Sequence, residues 1–175
     1  ISDTSKTLSR YVDAIMARLF KHEDIVELAK NASVPVINGL TDLLHPCQTL
    51  ADLQTIMEKK GKLKGLKLAW VGDGNNVCNS WILGGAAAGM NLVISCPKGF
   101  EPDKSIVEAG EKLAERSGGT VDLIRDPKKA VSDADIIYTD VWVSMGQEKG
   151  AKAKEQRFRE YQLNSKLVSR AGSGV

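Results

Sequence analysis

The stretch KLAWVGDGNNVCNSWILGGAAAGMNLVISC, residues 67–96, decides the fold of this chain. It begins and ends with short apolar runs, and a nearly apolar segment of helical length lies between them. Continuous apolar strands are typical of a parallel sheet, because helices cover both faces of such a sheet and leave no polar face. We therefore predict a strand at 67–73, a helix at 75–88 and a parallel strand at 91–96.

The alternation of helices and strands continues on both sides of this unit. Upstream, the predicted elements are helices at 4–20 and 22–31, a strand at 34–38 and a helix at 47–59. Downstream, they are a helix at 103–116 that Asp103 caps, a strand at 120–124, a short helix at 126–131, a strand at 134–140, and charged helices at 147–160 and 164–171. This order predicts an α/β fold: a doubly wound, Rossmann-like parallel sheet with helices on both faces, preceded by a linker helix.

The composition argues against several classes of function. The 175 residues carry 24 Lys and Arg against 22 Asp and Glu, and this near balance, with few aromatic residues, argues against binding to nucleic acid. No apolar stretch is long and unbroken enough to predict a membrane span. The three cysteines have neither a paired nor a metal-binding spacing, which predicts free thiols in a cytoplasmic protein without a metal site.

In a doubly wound sheet, ligands bind beyond the carboxyl ends of the strands, so we expect functional residues in the loops that follow the strands. The first such loop leads into HPCQ at 45–48. Pro46 suits the first position of a helix, and the free N–H groups of that helix end attract an anion. His45 and Gln48 could donate to such an anion, or Pro46 could simply start a helix that His45 caps. The pattern by itself leaves both interpretations open.

The loop GDGNN at 72–76 follows the first strand of the central unit. A dinucleotide fingerprint needs a third small residue where Val77 stands, and an acidic residue about twenty positions on, near 94–97, where there is none. A nicotinamide cofactor is therefore disfavoured. Asn75 and Asn76 could instead hold a carboxylate through their amides, or both asparagines could be turn formers.

The strand at 134–140 ends in Asp140, at the edge of the sheet where ligands bind. Its carboxylate could hold a cationic amine, or it could cap the next turn. The loop that follows contains Ser144 and Met145, which combine hydrogen-bonding capacity with a bulky apolar side chain. Far upstream, Arg18 lies beside the apolar stripe of the predicted first helix. It could project into a cleft, although a surface ion pair is the more usual place for a helical arginine.

Together these segments resemble the transcarbamylases, and among them the ornithine carbamoyltransferases. HPCQTLADL at 45–53 is similar to the family's carbamoyl phosphate motif, and WVGDGNN at 70–76 is similar to the end of its ornithine-site strand. TDVWVSMGQE at 139–148 is similar to its Ser-Met-Gly loop, and the opening residues 3–20 are similar to the helix that joins its two domains. The resemblance covers nearly the whole chain, and the motifs occur in the family's order.

The resemblance implies a reaction that needs no metal and no organic cofactor. The δ-amine of L-ornithine attacks the carbonyl carbon of carbamoyl phosphate, and phosphate leaves the tetrahedral intermediate to give L-citrulline. The resemblance implies that Arg18 and His45 bind carbamoyl phosphate and donate to its carbonyl oxygen as negative charge grows there. We expect His45 to be a neutral imidazole, because a helix start disfavours a positive ring. Gln48 is implied to hold the carbamoyl amide.

The same resemblance implies the residues of the ornithine site. Asn76 would bind the α-carboxylate, Asp140 and Ser144 would bind the α-amine, and the backbone of Met145 would assist the carboxylate as its loop closes. The Ser-Met-Gly loop, with Asp and Trp before it, favours ornithine over aspartate as the amine acceptor.

The family's Ser-Thr-Arg-Thr-Arg phosphate loop has no counterpart in this sequence. We therefore expect an interdomain helix with a helical extension at 1–32, an ornithine-binding-type α/β domain at 33–175 whose C-terminal end is incomplete, and no N-terminal carbamoyl phosphate domain. Such a chain is expected to be inactive by itself. The intact protein is expected to form a homotrimer or a larger assembly and to act in arginine metabolism. Two alternatives stay open: a transcarbamylase with another amine acceptor, and a non-catalytic amino-acid-binding module.

Overall fold

The structure, a computed structural model, describes residues 1–143 and 151–175, and these residues form two parallel sheets. The strands are β1 (Ile15–Arg18), β2 (Val36–Leu40), β3 (Lys67–Val71), β4 (Asn91–Ser95), β5 (Thr120–Ile124) and β6 (Ile136–Tyr138). The helices are α1 (Ser2–Leu8), α2 (His22–Asn31), α3 (Pro46–Lys60), α4 (Asn76–Ala87), α5 (Lys104–Ser117), α6 (Pro127–Ala130), α7 (Ala151–Phe158) and α8 (Ser165–Val168).

The larger sheet has the strand order β5-β4-β3-β6, and every neighbouring pair is parallel. From β3 the chain moves in one direction to form β4 and β5, and it then returns to place β6 on the other side of β3. Trp70 in β3 accordingly lies opposite Ile94 of β4 and Tyr138 of β6. This reversal of direction opens a crevice beyond the carboxyl ends of β3 and β6.

Both faces of the larger sheet are covered, because successive side chains of β3 point into two different cores. Leu68 and Trp70 pack with apolar side chains of α3, α4 and α5. Ala69 and Val71 pack on the opposite face, in a cluster with Phe158 from α7. All of these β3 side chains are fully buried. The predicted doubly wound sheet with helices on both faces is confirmed.

The apolar pattern from 47 to 140 placed the elements within a few residues of their observed bounds. Asp103 caps α5 as predicted, since its carboxylate accepts hydrogen bonds from the N–H groups of Ser105 and Ile106. Of the helix predicted at 147–160, the part at 151–158 is observed as α7.

The prediction of a single helix at 4–20 is wrong. α1 ends at Leu8, and the chain then forms β1, which pairs in parallel with β2 so that Ile15 lies opposite Val36. Apolar residues at helical spacing misled the prediction, because they do not form one buried face: Ile15 is buried, whereas Met16 is 66% exposed. Pairing with a strand that is distant in sequence outweighed the local pattern.

The strand predicted at 34–38 forms two residues later, as β2, and it belongs to the smaller sheet. Among the described strands, β2 pairs with β1 and has no hydrogen-bonded neighbour in the four-stranded sheet. The loop after β2 therefore reaches the crevice from a separate sheet, and it does not lie along the rim of the larger one. α3 connects the two sheets.

α4 and α5 pack closely on the larger sheet because a glycine lies at their contact. A Cβ atom on Gly110 of α5 would lie 2.4 Å from Cγ2 of Ile82 and 3.3 Å from the carbonyl oxygen of Ile82. Ile82 is itself fully buried, so it has no open space into which it could move.

We predict that Gly110→Ala lowers the free energy of unfolding by about 1–3 kcal/mol through overpacking. Helix propensity acts in the opposite direction, because alanine exceeds glycine by about 1 kcal/mol inside a helix. The control is Glu111→Ala at the exposed next position, which should change the free energy of unfolding little. Urea denaturation measures both variants. A Gly110→Ala chain as stable as the wild type would contradict the close packing of α4 on α5.

Candidate active site

An open cleft of about 1300 Å³ lies at the crevice between the ends of β3 and β6. The loops after β2, β3 and β6 border this cleft, together with the end of β1 and the start of α3. Residues that the sequence predicted for the site line this one cleft: Arg18, His45, Gln48, Asn76 and Asp140. The structure therefore brings together side chains that are far apart along the chain.

The loop that leads into α3, residues 41–45, is held against the first turns of α4. Three hydrogen bonds, which we call the α4 clasp, join side chains of α4 to the loop backbone. Asn76 Nδ2 donates to the carbonyl of Thr41 over 2.6 Å, and Asn79 Nδ2 donates to the carbonyl of Leu43 over 3.1 Å. The N–H of His45 donates to Ser80 Oγ over 2.7 Å. Because these bonds hold backbone groups, the α4 clasp determines where His45 enters α3.

Asn75 fixes the position of Asp140 on the opposite side of the cleft. Its Oδ1 caps α4 by accepting from the N–H groups of Val77 and Cys78, and its Nδ2 donates to Oδ2 of Asp140 over 2.8 Å. Asp140 Oδ1 forms no hydrogen bond within the described residues, so it can accept one from a ligand. The cap of α4 and the orientation of this carboxylate therefore depend on the same side chain.

The pKa of His45 is lowered from its ordinary value of 6.5. Burial is the largest cause, and the positive guanidinium of Arg18 acts in the same direction, while the carboxylates of Asp140 and Asp52 oppose it. These effects support the neutral imidazole that the sequence led us to expect. His45 Nδ1 is buried and has no hydrogen-bond partner in the described part of the chain, so a ligand could satisfy it.

Gln48 is connected to the larger sheet through a carboxylate that the sequence analysis did not single out. Its Nε2 donates to Asp52 Oδ1 over 3.0 Å, and the hydroxyl of Tyr138 donates to Asp52 Oδ2 over 2.6 Å. Burial, followed by the hydrogen bond to Asp52, raises the pKa of the Tyr138 phenol above its ordinary value. The phenol therefore stays protonated at neutral pH and donates the hydrogen bond to Asp52.

An ion pair borders the cleft where α7 approaches the loop after β3. Lys154 Nζ lies 2.5 Å from Asp73 Oδ2, and both side chains are nearly buried. Burial raises the pKa of Asp73, and the contact with Lys154 opposes this effect. The ammonium also lies 5.3 Å from the ring centre of Phe100, which adds a cation–π contact. This pair attaches α7 to the wall of the cleft.

Two of the predicted site residues have a different setting from the expected one. Arg18 is the last residue of β1 and not part of a helix, which places it at the carboxyl end of a strand. Asn76 uses one amide hydrogen in the α4 clasp, so one remains for a ligand. Ser144 and Met145 lie outside the described residues, and their roles stay predictions.

The described residues give no indication of a metal site or a membrane span. They contain no group of three or more His, Cys, Asp or Glu side chains that could hold a metal ion. None of the helices in the described ranges has the length and apolar character needed to cross a membrane. The three cysteines, Cys47, Cys78 and Cys96, are free thiols.

Sequence reasoning overlooked Asp52, the bond of Asn75 to Asp140, Tyr138 and Lys154. Spacing could have found the first and third, since Asp52 lies one helical turn after Gln48 and Tyr138 precedes Asp140 by two residues in an extended segment. Lys154 carries no such signal, because it reaches Asp73 from a helix much later in the chain.

Two family models match the chain and together cover almost all of it. The model of the "Aspartate/ornithine carbamoyltransferase, Asp/Orn binding domain" matches residues 64–175. The model of the "Aspartate/ornithine carbamoyltransferase, carbamoyl-P binding domain" matches residues 1–58. The chain therefore belongs to the aspartate/ornithine carbamoyltransferase family, and the resemblance seen in its motifs is confirmed.

Relatives with high identity carry the ornithine carbamoyltransferase name. The protein of Pyrococcus horikoshii is 56% identical over 173 residues, which are 99% of this chain and 55% of that protein. The protein of Listeria monocytogenes is 55% identical over 172 residues, which are 98% of this chain and 54% of that protein. Among solved structures, ornithine carbamoyltransferase from Pyrococcus furiosus has a TM-score of 0.94 at 53% identity, covering 98% of this chain and 55% of that chain. The chain spans about half the length of the curated relatives it matches.

The two family matches divide the chain between residues 58 and 64, close to the end of α3. Arg18, His45 and Gln48 lie in the first part, and Asn76 and Asp140 lie in the second. The cleft therefore combines side chains from both parts. The predicted domain boundary at residue 32 and the predicted lack of an N-terminal carbamoyl phosphate domain both stay predictions. The match to the carbamoyl-P binding domain covers residues 1–58 and so extends across residue 32.

We predict that the pKa of His45 responds in opposite directions to its two charged neighbours. Arg18→Gln removes a positive charge and should raise this pKa, whereas Asp140→Asn removes a negative charge and should lower it further. NMR titration of the imidazole C–H signals measures these shifts, with His22→Gln used to assign them. Shifts of the same sign in both variants would contradict the placement of His45 between these charges.

The sign of the stability effect follows from the same pKa. A histidine whose pKa is lower in the folded state than its ordinary 6.5 contributes fully to stability above pH 6.5, and this contribution is lost as the pH falls through 6.5 toward the folded pKa. Arg18→Gln should raise the pKa of His45 toward 6.5, and the protein should therefore lose less of its free energy of unfolding as the pH falls below 6.5.

Proposed function

We propose that this chain forms the substrate cleft of an ornithine carbamoyltransferase, which transfers the carbamoyl group of carbamoyl phosphate to the δ-amine of L-ornithine and releases L-citrulline and phosphate. One observation carries the proposal. Hydrogen-bond donors from the part that matches the carbamoyl-P domain, Arg18 and His45, share one open cleft with Asn76 and Asp140 from the part that matches the Asp/Orn domain.

On the donor side, negative charge grows on the carbonyl oxygen of carbamoyl phosphate as the amine attacks. Arg18 supplies a fixed positive charge, and a neutral His45 supplies an N–H donor, so both stabilise the oxyanion more than the uncharged carbonyl. Gln48 would accept a hydrogen bond from the carbamoyl NH2 group. Phosphate leaves when the tetrahedral intermediate collapses, and no cofactor is needed because the donor is already activated.

On the acceptor side, the cleft offers partners for both charged groups of an amino acid. Asp140 would bind the α-amine together with Ser144, and the second amide hydrogen of Asn76 would bind the α-carboxylate together with the backbone of Met145. The side chain of ornithine would then extend toward the carbonyl carbon. Binding both substrates in one cleft converts a bimolecular reaction in solution into an effectively unimolecular reaction between bound groups.

A transcarbamylase with aspartate as acceptor is the second candidate, because the matched domain model names both amino acids. An aspartate acceptor would bring an additional carboxylate into a cleft whose described lining has more acidic side chains (Asp42, Asp73, Glu101, Asp103 and Asp140) than basic ones (Arg18, Lys154 and Arg157). Like charges at short range disfavour one another, whereas the cationic side chain of ornithine would be attracted. The acidic lining therefore favours ornithine.

The proposal extends to the whole protein. It would act in the cytoplasm in arginine metabolism, as a homotrimer or larger assembly, with carbamoyl phosphate and L-ornithine as its small-molecule partners and without nucleic acid. Because this sequence has no counterpart of the family's phosphate loop, the 175-residue chain by itself is expected to be inactive or nearly so.

In the full-length protein, His45→Ala should lower kcat by about 100- to 1000-fold, the usual consequence of losing one oxyanion donor. Initial rates of citrulline formation measure the effect. Leu50→Ala, at an exposed position in the same helix, is the control and should stay near the wild-type rate. Near-normal turnover by His45→Ala would remove His45 from the mechanism. A wild-type protein that binds ornithine and forms no citrulline would identify a non-catalytic binding module.

Asp140→Asn should raise the KM for ornithine by about 10- to 100-fold, because a hydrogen bond to a charged group contributes roughly 1.5–3 kcal/mol. The KM for carbamoyl phosphate should change much less. Asp133→Asn is the matched control, since Asp133 is exposed and has a φ of 54°, which asparagine also adopts. Equal effects on both KM values, or comparable turnover with aspartate as acceptor, would contradict the assignment.

A further inference from the structure

We propose that Asp52 is a positioning residue that fixes the orientation of the Gln48 amide and thereby makes the cleft selective for an acyl phosphate that carries an N–H group. This inference rests on the proposed function and deepens it. It assigns a role to a carboxylate and a tyrosine that the reaction itself does not require.

The first step concerns the orientation of the Gln48 amide. Gln48 and Asp52 lie four residues apart in α3, on one face of the helix, and Gln48 Nε2 is 3.0 Å from Asp52 Oδ1. A carboxylate only accepts hydrogen bonds, so the NH2 side of the amide must face it. The carbonyl oxygen Oε1 then has no partner in the described residues and is the group that Gln48 offers to the cleft.

The second step concerns the orientation of Asp52. Its other oxygen, Oδ2, accepts a hydrogen bond of 2.6 Å from the hydroxyl of Tyr138. The Tyr138 ring is stacked on Trp70, with ring centres 5.2 Å apart, and contacts Trp81 at 5.3 Å. Both tryptophans are fully buried. Tyr138 is therefore a fixed donor that packs against the core of the larger sheet, and it holds Asp52 of α3.

The third step is what this arrangement selects. A carbonyl oxygen in the cleft is satisfied by an N–H group of the ligand and is left unpaired by a methyl group. Carbamoyl phosphate has an NH2 where acetyl phosphate has a CH3, and the two compounds are otherwise similar in shape and charge. With Gln48 held by Asp52, the cleft should prefer the carbamoyl compound, because a buried polar group without a partner is costly.

The same helix contains a matched control for this pair. Gln54 Nε2 donates to Glu58 Oε1 over 3.0 Å, again across four residues, but both side chains are exposed and away from the cleft. Glu58→Gln therefore alters an identical contact in α3 without touching the substrate. It reports any general effect of removing such a pair from the helix.

The test variant is Asp52→Asn in the full-length protein. The Tyr138 hydroxyl donates to no other acceptor in the described residues, so its proton stays paired only when Oδ1 of the new amide faces it, and Nδ2 then faces Gln48. Gln48 must turn its Oε1 toward this donor, which places its NH2 group in the cleft opposite the carbamoyl NH2. Competition in initial-rate assays gives the inhibition constant of acetyl phosphate and the KM of carbamoyl phosphate, and their ratio measures the preference.

We expect Asp52→Asn to lower this ratio by about tenfold or more, mainly through a higher KM for carbamoyl phosphate, and Glu58→Gln to leave it unchanged. A general loosening of the site would weaken both compounds together and would not move the ratio. An unchanged ratio in Asp52→Asn therefore overturns the proposal, as does an equal change in Glu58→Gln.

A second measurement does not depend on turnover. In the 15N-labelled chain, the side-chain NH2 signals of Gln48, assigned by their loss in Gln48→Glu, should shift in Asp52→Asn and should stay in place in Glu58→Gln. Gln48 side-chain signals that do not shift in Asp52→Asn would overturn the inference. If this shift is present and the full-length wild type forms no citrulline, the proposed function fails while the orientation of Gln48 stands.

Discussion

The α4 clasp is the constraint on which the site depends. The loop at 41–45 comes from the smaller sheet, and its hydrogen bonds to α4, together with the packing of Leu43 and Leu44, fix it relative to the larger sheet. The N–H of His45 bonds to Ser80, two carbonyls of the loop accept from asparagine amides, and Thr41 and Ser80 are buried. Buried backbone groups need partners, so opening this loop would leave several of them unpaired. The clasp therefore holds together the parts of the chain that match the two family domains.

Charge is balanced around the clasp. Arg18 at the end of β1 and Asp140, two residues after β6, act on His45 with opposite signs, and burial adds to the effect of Arg18. The result is a neutral ring between a cationic and an anionic neighbour. An oxyanion that forms beside Arg18 and a cationic amine that binds at Asp140 would each meet a complementary charge. In the proposed transfer, the same geometry would keep the growing negative charge apart from the bound ammonium group.

The sequence predicted most of the larger sheet, because buried parallel strands read as continuous apolar runs and glycines and caps mark their ends. It failed at 4–20, where a helical apolar spacing coexists with a strand whose partner, β2, is distant in sequence. The predicted site residues that the structure describes, Arg18, His45, Gln48, Asn76 and Asp140, line one cleft. The contacts that hold them were missed: the bond of Asn75 to Asp140 was not predicted, and Asp52 was not considered because its partner Tyr138 is 86 residues away in sequence. Local patterns record burial, but they do not record which distant side chains share a hydrogen bond.

The most direct measurement is a crystal structure of the full-length protein with carbamoyl phosphate and norvaline, an ornithine analogue that lacks the δ-amine and so cannot react. The carbamoyl carbonyl should lie within hydrogen-bond distance of Arg18 and His45, and the α-amine of norvaline should contact Asp140, with the end of its side chain directed at the carbamoyl carbon. Norvaline bound away from Asp140, or a carbonyl that contacts neither Arg18 nor His45, would contradict a shared cleft for the two substrates.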